Sequence, residues 1–588
     1  MRTDAKSVSF MWWIFIGMQV SLSVTAFVVT IVASLTASQG NALVRMTTVS
    51  LVMWTQAAAV ATTHALGGKW RHIETSYAAF QPGRGGLVFI ALQIAGWGAL
   101  GVSIVMGLLV FGSQAVRFQG KTPLLSDHLM AVCGFLGLVA EAFVVASVFY
   151  YKESDETDGD VAKSERAADM WSRLFLRVMR MQIATVNLVF GPRDIENITR
   201  KPALQDPGAH WACDERWKEA MRLCPRTGDS YLVVGNGFVG KRIVLELLDR
   251  GETDVRVFDI VPDSSWDNEP RVSFILGDVT KADQIGPACA GVNTVYSTFA
   301  IIRFMERLEH QAFLSYHVNV TGTEVLLEAC RSASVARVIV TSSSHATTDE
   351  HSAPRFDRDE DAPLLTREEA HNHYGWTKAI ADELALKADG SRLENGNELQ
   401  VVVVRPCSGV FGADDRLSFE RVMDIGIAPG VGTKAVMDWV PVQSVVQGHL
   451  LAEQALQDGR AGVRGEAFCI SNDDPTSMED FWWLTIKYIR QLPLRQRERL
   501  HIDVLYVPEG IFWALAYLSE LNAWLFRGKL SLGRDLDMLT PAMLSTATMS
   551  YTYSSAKARR VLGYNPVFSL DEAIQRAIHE YSVARGAI

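Results

Sequence analysis

Tyr374 and Lys378 stand four residues apart in the stretch HYGWTK, a spacing that puts both side chains on one face of a helix. A phenol titrates near ~10 when free, and a fixed cation beside it favours the phenolate, the form able to take a proton from an alcohol. Alone, the pair is equally at home on a solvated helix face. Its company changes the reading. Upstream, VTSSS (340–344) ends a β-rich run in serines, whose hydroxyls at a strand's carboxyl edge suit a substrate oxygen. Further upstream, Gly235, Gly237 and Gly240 form G-x-G-x-x-G between the short apolar run YLVV and the helical KRIVLELLDRG. About 20 residues later, Asp259 closes a second β-rich run, VRVFDI. Such glycines let backbone approach a pyrophosphate at a helix N-terminus, and such an aspartate accepts both ribose hydroxyls. Because that carboxylate repels a 2′-phosphate, the spacing points to NAD over NADP. Glycine loop, aspartate, serine-ended strand and Tyr-Lys helix follow in the order a hydride-transfer site needs.

The elements that position these residues alternate. YLVV, VRVFDI, RVSFILGDVT, VNTVYSTFA, VARVIVTSSS and LQVVVVRP read as six strands with helices between them, which predicts an α/β fold with a doubly wound parallel sheet. Tyr374 and Lys378 fall on the helix between the fifth and sixth strands.

The first quarter of the 588-residue chain has a different texture. Apolar stretches at 10–35, 47–65, 87–111 and 128–151 are each near or above the ~20 residues that cross a bilayer as a helix, predicting an all-α four-span anchor over 1–155. Gln19, Gln56, Gln93 and Glu141 sit near the span centres, where they hydrogen-bond between helices; an intramembrane Glu141 also suits a ligand or proton site. Lysines and arginines flank the N-terminus and the end of the fourth span, which predicts that both the N-terminus and the large C-terminal part face the cytosol. Residues 156–227 read as a linker. Arg173, Arg177 and Arg180 within it mark a basic amphipathic helix, lying on a membrane surface or packed on the following domain. The remainder, 228–588, is the catalytic domain. A net charge of -10 argues against nucleic-acid binding, and seven scattered cysteines without paired spacing argue against a metal site or disulfide framework. A late apolar stretch, 507–526, is interrupted by Glu509, Glu520 and Asn522; it reads as an interfacial or pocket-lining helix rather than a fifth span, with an ordinary core helix as the alternative.

From about 229 onward the chain resembles the extended short-chain dehydrogenase/reductases. Within them it is similar to the 3β-hydroxysteroid dehydrogenase family, including the decarboxylating sterol 4α-carboxylate 3-dehydrogenases. NVTGTEVLLEAC, VTSSS, YGWTKAIADE, VRPCSGVFG, WVPVQSVVQGHLLA and KARRVLGYNPVFSLDEAI carry the resemblance. It departs where Val234 replaces a loop glycine, where Ser444 replaces an asparagine, and where His345 follows the serines; His345 reads as pocket wall rather than catalytic. The resemblance implies a Rossmann core with a small C-terminal substrate lobe. Tyr374 is then the base, Lys378 its electrostatic partner and ribose contact, and Ser343 the hydrogen bond to the substrate oxygen, with Ser344 the nearest alternative. The implied cofactor contacts are Gly235, Gly237, Phe238, Val239, Gly240, Asp259, Asp278, Val279, Thr298, Ala300, Pro406, Tyr374 and Lys378. The implied activity is NAD-dependent oxidation of a 3β-hydroxyl on a sterol or steroid, with decarboxylation where a 4α-carboxylate is present. A nucleotide-sugar epimerase or dehydratase and a non-catalytic membrane-tethered NAD-binding protein are the competing expectations. By analogy the membrane is the endoplasmic reticulum, and relatives commonly form homodimers.

Overall fold

The computed structural model describes residues 214–585 apart from 304, 349–354, 433, 498–499, 501, 506–508 and 528–536. The four apolar stretches, Glu141 and the basic helix expected around Arg173 lie outside the described residues. Among the described residues, no helix is long and apolar enough to cross a membrane.

Seven parallel strands form the central sheet: β1 (Ser230–Val234), β2 (Asp254–Asp259), β3 (Val272–Leu276), β4 (Thr294–Ser297), β5 (Arg337–Thr341), β6 (Gln400–Pro406) and β7 (Glu466–Ile470). Their spatial order is β7-β6-β5-β4-β1-β2-β3. The direction of winding therefore reverses between β1 and β4, leaving at their carboxyl ends the crevice where doubly wound folds bind ligands. Both faces of the sheet are covered, so its strands are apolar throughout rather than alternating. Val401, Val402, Val403 and Val404 in β6 are all buried. The seventh strand, EAFCI, was not anticipated from sequence; five residues bracketed by a glycine and a serine give too little pattern to separate a strand from a loop.

Helices α1 (Glu215–Met221), α2 (Phe238–Asp249), α3 (Ala282–Cys289), α4 (Ala312–Tyr316), α5 (Gly322–Ser332), α6 (His373–Ala388), α7 (Val442–Gln457), α8 (Glu509–Phe526) and α9 (Leu570–Ala584) supply most of the remaining framework. The first corrects the expectation of a linker up to 227. Asp214 caps α1 through its side chain, and the Trp217 ring stacks on Phe568 at 6.0 Å while its Nε1 donates to Glu246 at 3.0 Å. Arg216 pairs with Glu572 and Arg576 with Asp214, so 214–221 is pinned to both α2 and α9. One buried tryptophan in a seven-residue helix creates no periodicity, which is why a sequence pattern misses it.

Beneath the sheet, Glu453 of α7 accepts hydrogen bonds from Tyr231 and Tyr296, each at 2.6 Å, and pairs with Arg250 at 2.9 Å. This buried network ties β1, β4, α2 and α7 together and rigidifies the base on which the crevice rests. A smaller sheet of Thr476–Ser477, Val436–Met437, Tyr551–Tyr553 and Arg355–Arg358 flanks the carboxyl end of β5. Helix α8 packs through Phe512 and Ala516 against Val431 and Leu544.

Candidate active site

Gly235 follows β1 with φ +101°, and a Cβ there would lie 2.6 Å from the Phe299 nitrogen; a side chain at this position is excluded twice over. The glycine loop thus packs directly on the backbone after β4. The Thr298 hydroxyl donates within this contact, reaching the carbonyls of Gly235 at 2.8 Å and Val234 at 3.1 Å. Thr298, expected as a cofactor contact, therefore spends its hydroxyl on holding the loop. Val234, where the family carries glycine, is simply the last buried residue of β1.

Helix α2 begins at Phe238 with Gly237 as its cap; no side chain bonds the cap, and no acidic residue occupies the first turn. Its leading N–H groups and positive dipole end are left for an anion, the arrangement that binds a pyrophosphate. Asp259 ends β2 beside this loop, its carboxylate accepting the Asn236 N–H at 2.6 Å and the Val261 N–H at 2.8 Å. These two bonds fix the carboxylate and leave lone pairs for ribose hydroxyls. The nearby cation is already engaged: Lys241 pairs with Asp263 at 3.1 Å and bonds Ser265 at 2.8 Å. A 2′-phosphate would meet Asp259 without a free counter-charge from Lys241. Asp278 and Val279 follow β3, where Asp278 is fixed by the Thr280 backbone at 2.9 Å. Ala300 follows β4 and Pro406 closes β6, so the residues expected to contact the cofactor stand at the carboxyl ends of neighbouring strands. Over it folds the loop after β6: a Cβ at Gly412 would sit 2.9 Å from the Phe238 ring. The donor set and the glycine-shaped gap fit a dinucleotide.

Tyr374, Lys378 and Ser343 come together at the carboxyl end of β5, all buried at 6, 5 and 8% exposure. Asn372 caps α6 by accepting the Gly375 N–H at 2.8 Å, which places Tyr374 in the helix's first turn. Gly375 is what brings the helix close enough, since a Cβ there would lie 2.9 Å from the His345 carbonyl oxygen. Ser343 faces the Tyr374 phenol and opposes the rise of its pKa. The alternative serine, Ser344, is spent elsewhere, its hydroxyl accepting the Ser408 N–H at 2.8 Å. The geometry favours Ser343.

Burial pushes the Tyr374 phenol up to about 12, against the lowering effect of the Ser343 hydrogen bond. Burial pulls the Lys378 ammonium down to about 8, partly countered by Asp382. Lys378 donates to the Thr341 carbonyl at 2.9 Å. The sequence expectation of a lysine already depressing the phenol is thus not the arrangement here: the residues share a face, but desolvation governs both, and it is the serine that acts to lower the phenol. Asp382, the next helix turn on, is held by Arg405 through two bonds of 2.9 Å.

One positioning residue escaped the sequence reading. Asn319 lies in a π-helical turn, His317–Thr321, that joins α4 to α5. Its side chain accepts the Ile301 N–H at 2.8 Å, donates to the Ile301 carbonyl at 3.1 Å and donates to Thr377 Oγ1 at 3.0 Å. One amide therefore locks the loop after β4 to the helix carrying Tyr374 and Lys378. The available signal was NVTGT itself: an asparagine inside a helix, where its propensity is poor, serves some other bond. The His345 ring lies 5.9 Å from that of Tyr374.

Residues 232–504 match the 3-beta hydroxysteroid dehydrogenase/isomerase family. The chain is 30% identical over 356 residues to the mouse sterol-4-alpha-carboxylate 3-dehydrogenase, decarboxylating, covering 60% of this chain and 90% of that protein. It is 30% identical over 369 residues to a 3-beta-hydroxysteroid dehydrogenase of Mycolicibacterium neoaurum, covering 60% and 93%. Among solved structures, a double mutant of the dTDP-glucose 4,6-dehydratase of Streptomyces venezuelae with NAD bound is similar at 21% identity, TM-score 0.44, over 60% of this chain and 98% of that one.

Proposed function

The chain belongs to the 3-beta hydroxysteroid dehydrogenase/isomerase family, and on that premise we propose that it oxidises a 3β-hydroxyl on a membrane-borne sterol or steroid. The observation that carries this reading is the joint burial of Ser343, Tyr374 and Lys378 beside a glycine loop shaped for a dinucleotide. NAD is the cofactor, held by the first turn of α2, Asp259 and the loops after β3, β4 and β6; when bound it supplies the hydride acceptor.

This chain's own residues handle the proton and the geometry. Ser343 donates to the alcohol oxygen and orients it, while Tyr374 takes the hydroxyl proton. The Lys378 ammonium stabilises the phenolate that must form, and Asp382 helps keep that lysine charged. A phenol held near 12 is mostly protonated at neutral pH, so turnover requires the bound state to lower it. Asn319 keeps the reacting groups in register, where small displacements cost rate steeply. When the substrate bears a carboxylate next to the new ketone, the product is a β-keto acid, which loses carbon dioxide without a further protein group.

Substrate delivery gives the apolar segments a purpose. The four stretches of 1–155 span the bilayer and tether the catalytic domain on the cytosolic side, in the endoplasmic reticulum by analogy with the family. Helix α8 turns Tyr517, Leu518, Leu521, Trp524 and Leu525 outward, an apolar stripe of helical spacing exposed to its surroundings. Arg307 pairs with Glu520 of that helix at 2.6 Å, and Thr540 donates to the Met305 carbonyl at 2.7 Å. The stripe is therefore tied to the loop running from the crevice, and it rests on the membrane surface where a sterol enters. Purified full chain in detergent, offered NAD with a 4α-carboxysterol, a simple 3β-hydroxysterol or a UDP-sugar, tests the reading. Sterol-dependent NADH supports it, with carbon dioxide release marking the decarboxylating branch; turnover confined to the UDP-sugar sinks it.

A further inference from the structure

One peptide unit aims the Ser343 hydroxyl. Ser343 Oγ caps the short turn Ser344–Ala346 by accepting the His345 N–H at 3.2 Å. That bond takes up a lone pair and leaves the single hydroxyl proton for the substrate oxygen. The His345 nitrogen and the Ser344 carbonyl belong to the same planar amide, so whatever holds the oxygen also sets the direction of the N–H. The oxygen is held from far along the chain. Tyr553, buried in the strand Tyr551–Tyr553 of the smaller sheet, donates its phenol O–H to the Ser344 carbonyl at 3.0 Å.

The protons around this contact balance. The Ser344 carbonyl also accepts the Thr347 N–H at 3.0 Å, which with the phenol fills its two lone pairs. The Thr347 and Thr348 hydroxyls lie 3.0 and 2.7 Å from the phenol oxygen and can each donate to it. Both hydroxyls also lie near the carbonyl, at 3.0 and 2.8 Å, but they belong to the turn and move with it, whereas the phenol reaches in from another element. Tyr551 of the same strand meets the His345 ring edge-on at 6.1 Å. Tyr553 is itself fixed: its N–H donates to one Asp438 carboxylate oxygen at 2.7 Å while the Ser471 hydroxyl donates to the other at 2.9 Å. The Asp438 carbonyl accepts the Gly409 N–H at 3.1 Å, and the adjoining Ser408 N–H returns to Ser344 Oγ at 2.8 Å. Ser344, Tyr553, Asp438 and the 408–409 backbone thus close a ring of hydrogen bonds, which includes the start of the loop after β6.

We propose that Tyr553 is a positioning residue for the alcohol oxidation: through the 344–345 amide, its phenol sets where the Ser343 hydroxyl points. This rests on the sterol dehydrogenase reading and adds to it a residue 209 positions beyond the one it holds. The hydrogen bond from Ser343 must meet an alcohol oxygen as that oxygen loses its proton, so an error in its direction costs rate while leaving sterol and NAD binding nearly untouched. Asp438 keeps the phenol in place, and Ser408 keeps the same turn against the loop after β6.

The test is a double-mutant cycle in kcat, using full chain in detergent with NAD and a 3β-hydroxysterol. Tyr553→Phe removes the phenol oxygen alone; it is expected to lower kcat about 10-fold, with KM for the sterol and Kd for NAD within about twofold of wild type. The unchanged NAD affinity doubles as the check that the fold is intact. Ser343→Ala is expected to lower kcat further, and adding Tyr553→Phe to it is expected to change kcat by less than about twofold, because the group being aimed is gone. If the two losses multiply, the phenol acts independently of Ser343 and the proposal is overturned. Should Ser343→Ala fall below detection, the kcat-against-KM split of Tyr553→Phe decides alone. A Tyr553→Phe enzyme with wild-type kcat, or one whose loss lies in KM, overturns the proposal while leaving the sterol reading intact. Absence of sterol-dependent NADH formation by wild type removes the sterol reading and this inference together.

Discussion

Replacing Lys378 by methionine separates what the lysine does for turnover from what it costs the fold. The ammonium is 5% exposed, and its pKa is pulled from 10.5 to about 8. At ~1.36 kcal/mol per unit, keeping it charged in the folded state costs about 3 kcal/mol. Methionine retains the apolar stem and removes this cost, but it strips the Thr341 carbonyl of its donor, a loss of ~1–2 kcal/mol. The variant should therefore be more stable by roughly 1–2 kcal/mol at pH 7, a rise of ~2–5 °C in Tm, while its kcat falls ~10²-fold or more. The pH dependence has a definite sign. Below about 8 both folded and unfolded wild type carry the proton and the full burial cost is present. Between 8 and 10.5 the unfolded state binds the proton more tightly, so wild-type stability rises with pH and the methionine variant's advantage shrinks. Thermal denaturation of both full-length proteins in detergent at pH 7 and pH 10 measures this. A variant less stable than wild type at pH 7, or an advantage unchanged at pH 10, would refute the desolvation argument.

Asn319→Ala should unlatch the β4 loop from α6, cutting kcat ~10–100-fold with a smaller effect on KM; equal kinetics would show that the π-turn amide positions nothing. Asp259→Asn should weaken NAD binding ~10-fold and narrow the preference over NADP, read as the ratio of dissociation constants; an unchanged ratio would remove the carboxylate from cofactor selection. Leu518→Glu with Leu521→Glu should raise KM for a sterol presented in vesicles ~10-fold while leaving turnover of a short, water-soluble steroid near wild type. Equal effects on both would take α8 off the membrane surface.

The sequence was most legible where spacing and chemistry reinforce each other. Gly235, Gly240 and Asp259 are separated by one strand, one turn and one helix, so their meeting is fixed by local geometry. Tyr374 and Lys378 share a face because α6 is a helix, and six of the seven sheet strands announce themselves through β-branched runs. What stayed hidden depends on contacts distant in the chain. Nothing local in the sequence tells that the Thr298 hydroxyl bonds the Gly235 carbonyl. Trp217 anchors α1 through Phe568 and Glu246, residues that no local pattern connects to it. The tyrosine's pKa is likewise a property of packing: a cation at helical spacing suggests depression, yet burial wins and raises it.

The central claim is that Tyr374 takes the proton from a sterol alcohol at a site that binds NAD independently of that step. Measuring NAD affinity and sterol-dependent NADH formation side by side for wild type and Tyr374→Phe tests it most directly. NAD affinity within about threefold of wild type, with kcat reduced by ~10²–10⁴, is the predicted result. A phenylalanine variant that still oxidises the sterol at near wild-type kcat would contradict the account.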